Sequence, residues 1–155
     1  MYRRPRLFES FDNYVSYLEA HKSSFPEHIY AFASSEERHN LTSPHSLHDS
    51  WLSSISIREL RRPESEGRNL PSIEIELLGP MHDRTIVLQY QEVHSYQISG
   101  AMNQYNWADT FHGDVSAHAI LACGESKFLH CITFVSGSKI EVQFEEFKCC
   151  EVVCT

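Results

Sequence analysis

The order of apolar and polar positions divides this chain into two periods. Near the N-terminus the spacing is helical. Phe8, Phe11, Val15 and Leu18 recur at intervals of three, four and three, so they share one face of an α-helix over about residues 8–22. Ser10 can cap that helix, because its hydroxyl accepts from an unpaired N–H of the first turn. His21 and Lys22 sit where the negative end of the helix dipole favours cations. Pro26 then prevents continuation, since it lacks the N–H a helix interior needs.

Beyond Pro26 the period falls to two. Residues 28–34, HIYAFAS, predict a strand. Residues 36–50 are polar, contain Pro44 and read as a long loop. Ile55 and Ile57 alternate with Ser54, Ser56 and Arg58. After a solvated connection over residues 61–71, Ile73, Ile75 and Leu77 face one way while Glu74 and Glu76 face water. Ile86, Leu88 and Tyr90 form another inward row, which is expected to run on through Tyr96 and Ile98. Residues 100–114 are a less regular insertion rich in aromatics and amides. Three strands follow, over residues 115–123, 128–135 and 139–147. Gly124-Glu125-Ser126 and Ser136-Gly137-Ser138 are short enough for hairpins.

Short connections require antiparallel neighbours, because a parallel crossover needs a dozen residues or more. Alternation implies one buried face per strand. The expectation is a single α+β domain over residues 1–155, built on one curved antiparallel sheet or half-barrel. It would hold about six to seven strands over about residues 28–147, with the N-terminal helix packed on it and a short cysteine-containing tail behind. A closed β-sandwich is the alternative.

Composition agrees with a globular chain. At 155 residues it can bury roughly two thirds of its surface, so a core needs neither metal nor disulfide. The formal charge of −8 repels phosphate backbones, which speaks against nucleic-acid binding. The basic cluster MYRRPR at residues 1–6 is not followed by an apolar run of signal-peptide length, and no stretch approaches a membrane span. A soluble cytoplasmic protein without membrane contact is expected. Five cysteines, an odd number with three near the C-terminus, do not make a secreted disulfide framework.

Candidate chemistry falls in four places. His45, His48 and Asp49, in SPHSLHDSW, are imidazole and carboxylate donors of the kind zinc, iron or nickel takes. They lack the helical spacing of a two-histidine zinc motif, so a polar turn that starts a strand competes with a metal loop. Glu92 and His94 point inward if the Leu88 row continues, and His130 shares a row with Phe128, Ile132 and Phe134. An inward carboxylate beside imidazoles could form an acid/base or ligand pair, whereas a β-bulge at Glu92 would return it to solvent. Vicinal Cys149 and Cys150 with Cys154 could bind a soft metal, but the paired spacing of a zinc ribbon is absent. Tyr105, Trp107, Phe111 and His112 offer either a binding surface or a lid. There is no phosphate loop, nucleophile elbow or other cofactor motif, so no cofactor is expected.

The turn Leu47-His48-Asp49, the alternating strand after it and the hairpins of acid-alternating strands resemble a loose group of small bacterial α+β proteins. That group includes immunity proteins of polymorphic toxin systems. The resemblance implies a non-enzymatic binding protein whose partner is a protein, such as a basic toxin, and assigns His48 and Asp49 structural roles. An acidic inhibitor is steered onto a basic target. Against this stands a small-ligand or metal site inside the sheet, built on Glu92, His94 and His130. The oligomeric state is open.

Overall fold

The computed structural model describes residues 8–61, 63 and 69–154. The basic cluster at 1–6, and residues 62 and 64–68 of the connection, lie outside them. The N-terminal helix is α1 (Phe11–Ala20), and Ser10 caps it by accepting from the Asn13 N–H at 3.2 Å. Tyr14 and Leu18 are its most buried residues, so the buried face is rotated slightly from the one the spacing marked.

HIYAFAS is not a strand. It forms helix α2 (Glu27–Ser34). The first helix already ends at Ala20, before Pro26 is reached, and Pro26 instead stands as the N-cap of this one, with φ −59°. Ile29, Phe32 and Ala33 are buried at helical spacing. A short apolar run fits both periods, and two alanines favour the helix.

The strands are β1 (Trp51–Arg58), β2 (Ser72–Leu78), β3 (Arg84–Gln91), β4 (Ser95–Ser99), β5 (Val115–Gly124), β6 (Lys127–Phe134), β7 (Lys139–Phe144) and β8 (Glu146–Val153). They make two four-stranded antiparallel sheets rather than one curved sheet. The first has the order β1-β2-β3-β8, the second β4-β7-β6-β5. The fold class is α+β, as expected, and both short glycine or serine turns close hairpins, β5 to β6 and β6 to β7.

The division into two sheets comes from two crossings at one corner. The row expected to run from Leu88 through Ile98 breaks after Gln91. Glu92 takes a left-handed φ of 53°, and the chain passes through Val93 and His94 into the second sheet. It returns at Glu145, which splits the expected last strand into β7 and β8. The cysteine-rich end is therefore not a tail: Glu146–Val153 pairs along the whole of β3, from Gln91↔Glu146 to Arg84↔Val153.

The core lies between the sheets. Ile75 and Leu88 form one inward row with Ile55 and Cys149, and Ile73, Tyr90 and Phe147 form the next. The second sheet contributes His118-Ile132-Ile140 and Ile120-His130-Val142. The sheets meet where the Tyr90 ring lies 5.2 Å from Phe144 and 5.3 Å from Phe147. Phe32 of α2 touches both, reaching His118 and His130 on one side and Phe147 on the other. Each fully buried aliphatic side chain here is worth roughly 1.5–3 kcal/mol over exposure. No helix among the described residues is long and apolar enough to cross a membrane.

Candidate functional site

SPHSLHDSW folds as a turn that ties several elements together. Asp49 adopts φ 67°, its N–H donates to the Val115 carbonyl at 2.9 Å, and the Val115 N–H returns a bond to Ser50. Asp49 Oδ1 lies 3.0 Å from His48 Nδ1, yet the angle is not that of a hydrogen bond, so the contact is a charge–dipole approach. His45 turns elsewhere. Its Nδ1 is 3.0 Å from both carboxylate oxygens of Glu151 and 3.2 Å from an Arg84 guanidinium nitrogen. Arg38 and Arg84 also approach Glu151, at 3.6 and 3.7 Å. Two guanidinium groups around the one carboxylate oppose a metal cation there. His45 and His48 share no partner, and no group of three or more metal-ligating side chains exists among the described residues. Trp51 anchors the strand by donating to Asp114 Oδ1 at 2.6 Å.

His94 and His130 belong to separate arrangements. Glu92 and His94 lie in the crossing between sheets rather than on an inward row. There His94 Nε2 meets Glu145 Oε2 at 2.7 Å, so the pair bridges the outgoing and returning passages of the chain. His130 does face the core, in company the sequence reading did not name. Tyr90 Oη is 2.6 Å from His130 Nδ1, His130 Nε2 is 3.0 Å from His118 Nδ1, and His118 Nε2 is 2.9 Å from the Arg38 carbonyl.

These distances fix the proton positions. A carbonyl only accepts, so His118 Nε2 carries a hydrogen. In a neutral ring His118 Nδ1 then accepts, His130 Nε2 donates to it, and His130 Nδ1 accepts from Tyr90. One line of donation satisfies every ring nitrogen. Burial is what keeps the rings neutral. It pushes His130 down to about 3 and His118 well below the ordinary imidazole value, with the neighbouring His39 acting in the same direction. His39 stacks on His118 at 4.2 Å, and its Nε2 lies 2.9 Å from the Ala33 carbonyl. His118 was legible by the argument that found His130: it shares an alternating row with Ile120. Nothing in this satisfied, buried line is open to a substrate.

Two of the thiols are held inert. Burial pushes both Cys131 and Cys149 up to about 11, so they stay protonated and unreactive at neutral pH. Cys149 and Cys150 are successive residues of β8 and so project to opposite faces. A depression of about 240 Å³ lies over Ser56, Glu74 and Gln89, on the face of the first sheet away from the core.

The aromatic insertion is different. It is an irregular loop with its own internal order. Buried Asn103 holds it together: its N–H donates to the Phe111 carbonyl at 2.6 Å, its Oδ1 accepts from Tyr105 N–H at 2.9 Å, and its amide donates to Asn106 Oδ1. Ser138 pins the base through bonds with both the N–H and the carbonyl of Ala101. Gly113 closes the loop with φ 75°, where a Cβ would stand 2.4 Å from a Val135 methyl. On this frame Tyr105 is 86% and Trp107 66% exposed, and Met102 and Phe111 are exposed as well. No lysine or arginine occurs between Arg84 and Lys127, while Glu92, Asp109 and Asp114 do. The loop thus presents rigid aromatic surface on a stretch without cations. No protein-family model, curated protein or solved structure matches the chain.

Proposed function

We propose that this chain is a non-enzymatic protein-binding module that engages a basic partner, in the manner of an immunity protein blocking a toxin. The observation that carries this reading is the loop of residues 100–114. Its hydrogen bonds around Asn103 hold Tyr105 and Trp107 in water, although burying them would be favourable. Large aromatic side chains on a preorganised loop lose little entropy on binding and fill partner pockets well. The net charge of −8 steers a cationic partner toward the molecule. For the alternative of a metal site built on Glu92, His94 and His130, no cluster of three ligating side chains is found among the described residues.

The test is photo-crosslinking in cells of origin, with the reactive side chain placed at position 107 or, as a control, at exposed Leu41. Position 107 is expected to trap a basic protein that position 41 does not, and high salt should slow its association. Identical products from both positions, or none from position 107, would sink the proposal.

A further inference from the structure

Each sheet has two outer edges, and three of the four are guarded. A free edge offers unpaired backbone N–H and C=O groups to any other strand, so folded proteins blunt it with bulges, charges or covering groups. The β1 edge carries a register shift between Leu52 and Ser54 and ends on Arg58. The β8 edge carries Glu146, Lys148 and Glu151. The β5 edge has two register shifts and is covered by α1. There Tyr14 Oη accepts from Ile120 N–H at 2.7 Å and donates to its carbonyl at 2.8 Å, and Tyr17 Oη accepts from Ala122 N–H at 2.9 Å.

Among the described residues, the β4 edge has none of these devices. Its sequence, SYQIS, holds no charge, proline or glycine, its pairing with β7 runs without a shift, and all five residues are exposed. Tyr96 and Ile98 stand beside Val142 and Ile140, which are 1% and 2% exposed, yet are themselves 47% and 43% exposed. The apolar inner row thus runs past the end of the core into water. Gly100 follows directly and lies against the rings of Phe111 and His112, so this edge is continuous with the aromatic loop. Lys139, opposite Ser99, is held by Glu141.

We infer that β4 accepts an extended, cationic segment of the partner as a fifth strand. The inference rests on the protein-binding reading and gives its mode. Alternate residues of the incoming strand would extend the row of Tyr96 and Ile98, and its backbone would pair with the outward N–H and C=O groups of β4. The charge decides between occupants. The stretch from β4 through the loop has acidic side chains and no cation, so a basic segment is attracted. A second copy would instead oppose two edges whose adjacent Lys139 is already paired with Glu141, on molecules that each carry −8.

The probe is a synthetic peptide of about ten residues, with alternating threonine and valine flanked by lysines, chosen for strand propensity. It is titrated into the 15N-labelled full chain beside two relatives, one with glutamate flanks and one N-methylated at alternate residues. The lysine-flanked peptide should slow amide exchange across residues 95–99 at least ten-fold. Glutamate flanks and N-methylation should each weaken binding at least ten-fold, and so should the exposed-site double variant Tyr96→Ser, Ile98→Thr. If the peptide shifts only the amides of 100–113, or N-methylation changes nothing, strand addition is wrong while loop-mediated binding stands. If no peptide binds, strand addition is wrong, and the crosslinks from position 107 decide the broader reading separately. Protection of 95–99 without peptide, with a light-scattering mass of two chains, would give the edge to a second copy and overturn the inference.

Discussion

The interior and the loop of residues 100–114 invert the usual distribution of side chains. Between the sheets sit two buried imidazoles, His118 and His130, and the Tyr90 phenol, while the loop holds Tyr105, Trp107, Met102 and Phe111 in water. The polar interior accounts for itself, because each donor of the Tyr90-His130-His118 line has an acceptor and the line ends on a backbone carbonyl. The apolar exterior does not. No stability argument explains aromatic side chains that an internal hydrogen-bond frame keeps exposed. Unusual residues inside this protein therefore serve its fold, and those outside are the ones the proposed binding role would use.

Acid should break the comparison most strongly. For a histidine whose folded pKa lies below its unfolded value of about 6.5, the unfolded chain binds more protons as pH falls below 6.5. Stability is then complete above pH 6.5 and declines toward the folded pKa, about 3 for His130. Each such ring contributes a slope of up to about 1.4 kcal/mol per pH unit. With His118 and His39 lowered as well, several kcal/mol should vanish between pH 6.5 and 5, seen as a fall in the urea midpoint. A flat midpoint across that range would mean that the rings are not buried neutral.

Substitution inside the line should cost less, and in a set order. His130→Ala leaves a cavity and orphans both Tyr90 Oη and His118 Nδ1, for a loss of about 3 kcal/mol. Tyr90→Phe removes only the donor to His130 Nδ1 and should cost about 1–2 kcal/mol. Equal effects in urea denaturation would show that the hydroxyl, rather than packing, dominates. The smallest effect belongs to the loop. Trp107→Ala should change stability by less than about 0.5 kcal/mol, the usual range for exposed sites. A larger loss in thermal melting would show that the tryptophan packs on its own molecule and would undercut its role at an interface.

Much of the strand pattern was legible, and the assembly of strands was not. Alternation located β2, β3 and β7 and placed His130 inward, because a buried face prints a period of two. It could not assign strands to sheets. That choice turns on Glu92 at φ 53° and on the single residue Glu145, and neither interrupts the periodicity enough to be seen. HIYAFAS failed for a different reason, since seven residues are too few to separate 3.6 from 2. The aromatic loop was visible as composition. The bonds of His130 to Tyr90 and His118 were not, because they are made between sheets and between neighbouring strands, which is long-range information. Likewise His45 was read with His48 from adjacency, although its real partner is Glu151.

The corner where the chain leaves the first sheet at Gln91 and comes back at Glu146 bears on the order of folding. Everything in the second sheet is one uninterrupted excursion between those two residues, and its hairpins close over short distances. Its β5-β6-β7 hairpins can assemble from local contacts, and β4 then closes on β7, from Ser95↔Gln143 to Ser99↔Lys139. Once the sheet has formed, it holds Gln91 and Glu146 side by side, so the distant pairing of β3 with β8 has most of its loop-closure entropy already spent. The first sheet is then a three-stranded structure waiting for its last member, and β3 is an open template until β8 arrives. Slow refolding and aggregation should both trace to that interval.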